Sequence, residues 1–313
     1  MPTIQNWTTS ADGGFLSNPV LSKQLRMVAA PQCKFRQFVR PVPDFGKQKG
    51  DTVPFDKVGK VLTSGSTLSE LVPIPKTKIP IYRDTLVVTE YGNSVDYTGK
   101  LEALSEFDPN NIIQQALRDD MATVLDIAAA TQFRTTDIIY TPSGTSAAPT
   151  GTWAYDGTCI TAATRNGQVA DIKNIIDKMM TLNVPAYDGE DYMCVASIQW
   201  LRGIMDDPEW QDAMHYGDPT RIFSGEVGRM YKCRFVRETN TLSNAMTANC
   251  GEAIFFGADP VVEGIAVPEE IRAKIPTDYG RDKGVAWYSI LGFKLTWDYS
   301  VEGETHVVRV FST

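Results

Sequence analysis

Asp51-Thr-Val-Pro-Phe-Asp-Lys-Val58 leads into a tract from Gly59 to Ser69 rich in Gly, Ser and Thr, and Leu71-Val-Pro-Ile-Pro75 with Lys76 to Tyr91 leads back. The first run alternates like a strand, and the return run mirrors it. Pro54, Pro73, Pro75 and Pro80 each remove an N–H donor, which bars this segment from the centre of a sheet. Residues 46–91 are therefore expected to form a long hairpin of edge character that projects from the body. Arms of about 12 residues at about 3.3 Å each would reach about 40 Å. A two-stranded ribbon of that length is marginal alone and needs a neighbour.

On the C-terminal side of the hairpin lies the clearest helix. Asp108 is an N-cap and Pro109 a first-turn residue, and Ile113, Leu117, Met121, Val124 and Ala128 then mark one face, predicting a helix through Phe133. Short β-like runs follow, with Pro142 to Pro149 expected as a flexible loop. A second amphipathic helix is expected over 168–182, then a strand over 192–196, helices from Ile198 and from Asp207-Pro208, and strands over 230–236 and 253–256. Residues 270–311 read as three further strands. On the N-terminal side, Asn18-Pro19 opens a short helix ending before Pro31. Cys33-Lys-Phe-Arg-Gln-Phe-Val-Arg40 reads as an extended strand able to lie across a partner or across its own core. With strands and helices segregated, the fold class is α+β.

The chain has 313 residues, 42% hydrophobic and 22% charged, with a net charge of -8. That supports a large core and excludes general disorder. Nothing resembles a secretory signal or an apolar run long enough to span a bilayer, so no membrane role is expected. Five scattered cysteines without CxxC read as buried, reduced thiols of a cytosol-like compartment. The acidic balance disfavours broad nucleic-acid binding.

Catalytic and metal signatures are missing. His215 and His306 lack partners at ligand spacing, so no metal site is expected. No GxSxG, GxxxxGK[ST] or GxGxxG occurs, and Gly46-Lys-Gln-Lys-Gly50 reads as a basic turn. Asp188-Gly-Glu-Asp191 reads as a solvated turn, not a cation loop. No enzyme activity and no cofactor are expected. The competing enzyme reading, a glycosidase, would need two carboxyl groups about 5–9.5 Å apart in a cleft.

The order of elements resembles the HK97-like fold of tailed-phage major capsid proteins, and within it the N4-gp56-type branch. The resemblance rests on Val87-Val-Thr-Glu-Tyr-Gly92, the Asp108-Pro109 helix entry with Asp126, Gly225 to Asn240, Phe256-Gly-Ala-Asp259, Asp278 to Tyr288, and Leu291-Gly-Phe293. It implies an N-terminal arm over 1–45, an extended loop (E-loop) over 46–80, a peripheral domain over 81–185 with a spine helix at 109–133, and an axial domain over 186–264. Strands over 265–313 would return to the peripheral domain and end in a terminal axial strand. The implied function is a shell subunit whose hexamers and pentamers enclose double-stranded DNA in an icosahedral head, assembled in the host cytoplasm. An encapsulin-like bacterial compartment shell is the alternative.

The implied partners are copies of itself, a portal, a decoration protein and packaged DNA touched weakly and nonspecifically. No helical scaffolding extension precedes the arm, so a separate scaffolding protein, or prior cleavage, is expected. Lys57, Lys60, Phe35, Phe38, Arg36 and Arg40 are the expected inter-subunit contacts. Lys23, Arg26, Lys34, Arg36 and Arg40 are candidate phosphate contacts, with salt bridging favoured over DNA. Some shells of this fold join an E-loop lysine to a neighbour's asparagine, but no motif here carries that chemistry over.

Overall fold

The computed structural model describes residues 30–42, 50–61, 65, 67–68, 70, 73–158, 163–216, 228–242 and 251–312, with 213–216 described as backbone only. The helix expected before Pro31, most of the basic turn at 46–50, Lys23, Arg26, Cys159, Cys250 and the His215 side chain lie outside the described residues. The chain runs β1 (Arg40–Pro41), β2 (Thr52–Val58), β3 (Ile81–Val87), β4 (Thr89–Thr98), α1 (Gly99–Leu104) and α2 (Pro109–Phe133). It continues through β5 (Ile139–Thr145), β6 (Ala148–Ala154), α3 (Val169–Thr181), β7 (Tyr192–Ala196), α4 (Ile198–Met205) and α5 (Pro208–Tyr216). It closes with β8 (Arg229–Met230), β9 (Cys233–Arg237), β10 (Gly251–Phe256), β11 (Val261–Ala273), β12 (Asp282–Leu295), α6 (Tyr299–Glu302) and β13 (Val307–Ser312).

Three sheets result: β1-β11-β12-β4, β6-β5-β13-β10-β7-β9-β8, and the separate ribbon β2-β3. The long helix α2 forms where capping and periodicity put it. The Asp108 carboxylate accepts the Asn110 N–H at 3.0 Å, and Pro109 occupies the first turn. Its buried face carries Ile113 and Leu117 against Trp287 and Val285, then Leu125, Ala129 and Phe133 against Leu291 and Phe293. The Trp287 indole N–H donates to Asp120 at 3.0 Å and fixes the helix on β12.

α3 packs on the seven-stranded sheet through Val169, Ile172, Ile176 and Met179, the stripe expected from the sequence. Its first turn is built on Asp171, which is fully buried. Arg165 reaches both Asp171 oxygens, at 2.6 and 2.7 Å. The Tyr140 hydroxyl donates to Asp171 at 2.7 Å, and the Gln168 N–H at 2.8 Å.

Three sequence expectations are corrected. Residues 33–40 are not a strand: Arg36–Phe38 is a 3₁₀ turn and only Arg40–Pro41 is extended. A strand would set Phe35 and Phe38 on opposite faces, whereas three residues per turn bring both rings to one core. Pro142 to Pro149 is not a flexible loop but part of the β5–β6 hairpin. It tolerates its prolines because β5 pairs with β13 only at Ile139 and Tyr140, and β6 is an edge. The Tyr140 and Trp153 rings, directly opposite each other, lie 4.7 Å apart and hold that hairpin. The strand expected over 230–236 is broken by Tyr231 and Lys232, both at positive φ, which make a tight turn between β8 and β9.

β5, β6 and α3 join the sheet of β7, β9 and β10 and not that of β4 and β12. Residue 264 likewise falls inside β11 and not at a boundary.

Removing one partner of a buried, hydrogen-bonded charge pair strands the other. Asp171→Ala is therefore expected to destabilise the chain by roughly 3–5 kcal/mol. The shift of the urea unfolding midpoint measures it.

Candidate functional site

The ribbon β2-β3 has two unlike faces. Register pairs Val53 with Leu86, Phe55 with Asp84 and Lys57 with Tyr82, all toward the body. Asp56 pairs with Arg83, and Val58 with Ile81, away from it. At the root, Leu86 is buried with Val53 and Val262. The seat below it is made by two glycines that are partners across β11 and β12, Gly264 and Gly292. A Cβ on Gly264 would stand 2.9 Å from Leu86 Cδ2, and one on Gly292 would strike the Val87 carbonyl and stand 3.0 Å from Leu86 Cδ2. A larger residue at 292 would push the Val87 backbone away from the sheet, and one at 264 would displace the Leu86 side chain.

The far half has no such seat. Val58 and Ile81, an opposed pair, are 66% and 68% exposed, and Ile74 and Ile79 are 68% and 57% exposed. Leu68 and Val61 are also exposed. A concentration of large apolar side chains on one projecting element marks an interaction surface.

Lys57 lies where ribbon and body meet, and it is 5% exposed. Its Nζ donates to the Thr296 carbonyl at 2.7 Å, pairs with Glu302, and lies 3.5 Å from Asp84. The rings of Phe55 and Trp297 flank it at 5.5 and 5.4 Å. Lys60, beyond the end of β2, is exposed.

The segment from Gln32 to Val42 crosses the chain's own core. Phe35 packs on Phe133 at 5.3 Å between ring centres, and Phe38 on Phe256 at 5.1 Å. The Arg36 N–H donates to Asp126 at 3.1 Å, and its guanidinium holds Glu263 at 2.9 Å and also Glu269. Arg40 pairs with Asp259, and the Val42 N–H donates to the Glu263 carbonyl at 2.7 Å. The guanidiniums of Arg36 and Arg40 are thus already matched by carboxylates within the chain. Asn240 bridges this seam to Glu238, whose carboxylate accepts the N–H groups of Asn240, Thr241 and Leu242.

Of the six expected contact residues, the structure thus brings Phe35, Arg36, Phe38 and Arg40 onto one seam and Lys57 onto the ribbon root, while Lys60 stands apart. Sequence reading missed Glu238, Glu263 and Glu302, which share no spacing with the basic residues they serve. Asp126 carries the one available signal: a carboxylate on the apolar side of α2.

The acidic turn is organised by ion pairs. Arg229 and Arg234 hold the Asp191 carboxylate at 2.7 and 2.8 Å, and Arg234 also reaches Asp188 at 3.0 Å. Burial opposes ionisation of Asp191, but the two guanidiniums hold its carboxyl below the usual range. The buried His306 ring contacts the Ala258 carbonyl at 2.6 Å. Among the described residues no cluster of three or more His, Cys, Asp or Glu could hold a metal ion, and no helix is long and apolar enough to cross a membrane.

Neither a protein-family model nor a curated protein sequence matches the chain. Solved structures do. The capsid asymmetric unit of cyanophage Pam1 superposes with a TM-score of 0.70 at 15% identity, covering 94% of this chain and 96% of that one. The capsid structure of cyanophage P-SCSP1u gives 0.69 at 11%, covering 97% and 95%. The capsid of Ralstonia phage GP4 gives 0.66 at 15%, covering 98% of both. The chain has the fold of these phage capsid proteins over nearly its whole length, and the α+β, HK97-like architecture implied by the resemblance is the one it adopts.

Burial pushes the carboxyl groups of Asp126, Glu238 and Glu263 above their ordinary range, against the hydrogen bonds and the Arg36 charge that favour ionisation. Each binds its proton more tightly folded than unfolded. Its penalty is present above the raised folded value and is relieved as pH falls through that value. His306, whose basicity burial lowers, acts in the opposite sense below its unfolded value. Comparison with a variant isolates the seam. Relative to Asp126→Asn, the parent chain is expected to gain stability as pH falls through the raised folded value of Asp126 toward the ordinary carboxylate range, as denaturant unfolding at each pH would measure. Below about pH 4 the trend reverses in both, as Asp191, Glu209 and Asp282, held low by cationic partners, take up protons.

Proposed function

We propose that this chain is a tailed-phage major capsid protein of the N4-gp56-type branch, copies of which form the hexamers and pentamers of an icosahedral head around double-stranded DNA. The observation that carries the reading is the likeness in fold to phage capsid structures across almost the full length of both chains. The ribbon adds a physical argument. Burying an isoleucine or valine contributes about 1.5–3 kcal/mol. Val58, Ile74, Ile79 and Ile81 stand exposed on one projection, so association that covers them is strongly favoured.

In this reading the segment before β1 is the arm and β2-β3 the root of the E-loop. The four-stranded sheet with α2 is the peripheral part, and the seven-stranded sheet with α3, α4 and α5 the axial part. Lys60 and the ribbon's outer face are the inter-subunit contacts, whereas Phe35, Phe38, Arg36 and Arg40 set the arm's exit from the body. The role is structural and not enzymatic, and the protein resides in the virion after assembly in the host cytoplasm. A separate scaffolding protein, a portal and a decoration protein would complete the particle. An acidic shell suits the contents, because a basic lining would grip the genome through counterion release.

Electron microscopy of the purified protein is expected to show closed particles, rings or sheets. Persistent monomers at high concentration would argue against the reading, and peptide-bound cargo inside empty particles would favour a bacterial compartment instead. The double variant Ile74→Asp, Ile79→Asp is expected to abolish particles while leaving the circular dichroism and thermal unfolding of the monomer unchanged.

A further inference from the structure

The ribbon touches the body at two places of opposite chemical character. One is the seat of Gly264 and Gly292 under Leu86, which is apolar, lies near the start of β2 and the end of β3, and has no directional bonds. The other is Lys57, four residues further along β2, which enters a buried polar recess formed by the end of β12 and α6. An apolar contact of Leu86 and Val53 on the two-glycine floor beside Val262 is non-directional and holds a position better than an angle. Fixing the angle requires a second point of attachment, and Lys57 supplies it.

We infer that the ribbon is a strut mounted on a pivot and a catch: it is seated at Leu86 on the paired glycines and held at one angle by Lys57 gripping Glu302 and the Thr296 carbonyl. Lys57 is thus a positioning residue for its own subunit. The groups facing its Nζ account for the whole recess. Glu302 comes from α6, with a side chain 4% exposed and itself accepting the Asp298 N–H at 3.1 Å. Asp84 comes from β3 and is shared with Lys294 of β12 at 3.7 Å. Thr296 offers its carbonyl, and Phe55 and Trp297 offer ring faces to the cation. With the Thr296 carbonyl and Glu302 in direct contact, Asp84 at ion-pair distance and two rings closing the sides, the recess fits one lysine side chain and leaves it few alternative orientations. Every one of these contacts except those to Asp84 and Phe55 ties the ribbon to the body, while Val58 and Ile81, the next pair along, turn to the opposite, exposed face.

The inference goes beyond the shell reading and is tested on the full-length chain in a fixed oligomeric state, so it stands or falls separately. Hydrogen–deuterium exchange of parent, Lys57→Met and Glu302→Gln is followed by segment, together with spin-label distances between the ribbon and β12. Exchange in β2 and β3 is expected to rise at least tenfold in either variant, and the distance distribution to broaden, while β7, β10 and β13 keep the parent's protection. The double variant should loosen the ribbon no more than Lys57→Met alone, because both changes break one contact. Unchanged ribbon exchange and distances would overturn the inference. So would a uniform rise across all three sheets, which would mark Lys57 as a general stabiliser, and so would additive effects in the double variant. If Lys57→Met does not fold, Glu302→Gln, which keeps the shape and removes one charge, decides the question by the same readouts.

Discussion

A two-stranded ribbon has two faces and no interior, and nearly everything distinctive in this molecule follows from where those faces can be placed. β2 and β3 satisfy each other's backbone, but their side chains must find cover elsewhere. The body covers only the inner face: Gly264 and Gly292, partners across β11 and β12, leave a side-chain-free floor onto which Leu86 descends, and Thr296 and Glu302 take in Lys57. Beyond that floor Val58 and Ile81 face solvent. The glycine pair therefore helps set which ribbon side chains the chain covers by itself.

The N-terminal segment solves the same problem in the opposite way. Phe35 and Phe38 are drawn into the core beside α2, and Asp126 on that helix receives the backbone that delivers them. A buried carboxylate is costly unless hydrogen-bonded, so the seam tolerates Asp126 and Glu238 only because backbone N–H groups converge on them. Arg36 contributes the cation, gripping Glu263 of β11, the strand that also carries Gly264. The N-terminal segment and the ribbon are thus fastened to adjacent residues of one strand, Glu263 and Gly264 of β11.

How much of this the sequence disclosed depends on the range of the interactions. α2 and α3 were legible because caps and apolar periodicity are local: Asp108-Pro109 and the stripe through Val169, Ile172, Ile176 and Met179 act within a few residues. The prolines at 54, 73, 75 and 80 likewise signalled a ribbon apart from the larger sheets, although its strands have seven residues each and not about twelve. The β5–β6 hairpin was misread because Pro, Ser and Gly normally mark loops, and only the topology shows that its prolines lie where no neighbour needs an N–H. Residues 33–40 were misread because alternation of basic and apolar residues mimics a strand, while the deciding fact is that two phenylalanines three positions apart share one core. The Lys57 recess was out of reach, since its Thr296 contact joins residues 239 apart in the chain.

That recess also bears on the covalent chemistry known to some shells of this fold. An amine that forms an isopeptide bond must be free of its protons and approach a neighbour's amide carbon, which requires a desolvated, neutral lysine. Lys57 sits in the right segment and beside a buried carboxylate, which from sequence and burial alone could suggest such a role. Its geometry argues otherwise. Its Nζ donates to the Thr296 carbonyl, pairs with Glu302 and lies within ion-pair distance of Asp84, and the two flanking rings face it as they would a cation. To react, Lys57 would have to abandon Glu302, leaving that carboxylate buried without its cation, an arrangement that costs several kcal/mol. A lysine held this way serves better as a fastener than as a nucleophile, and the glycine seat beside it provides the fixed point against which fastening has an effect.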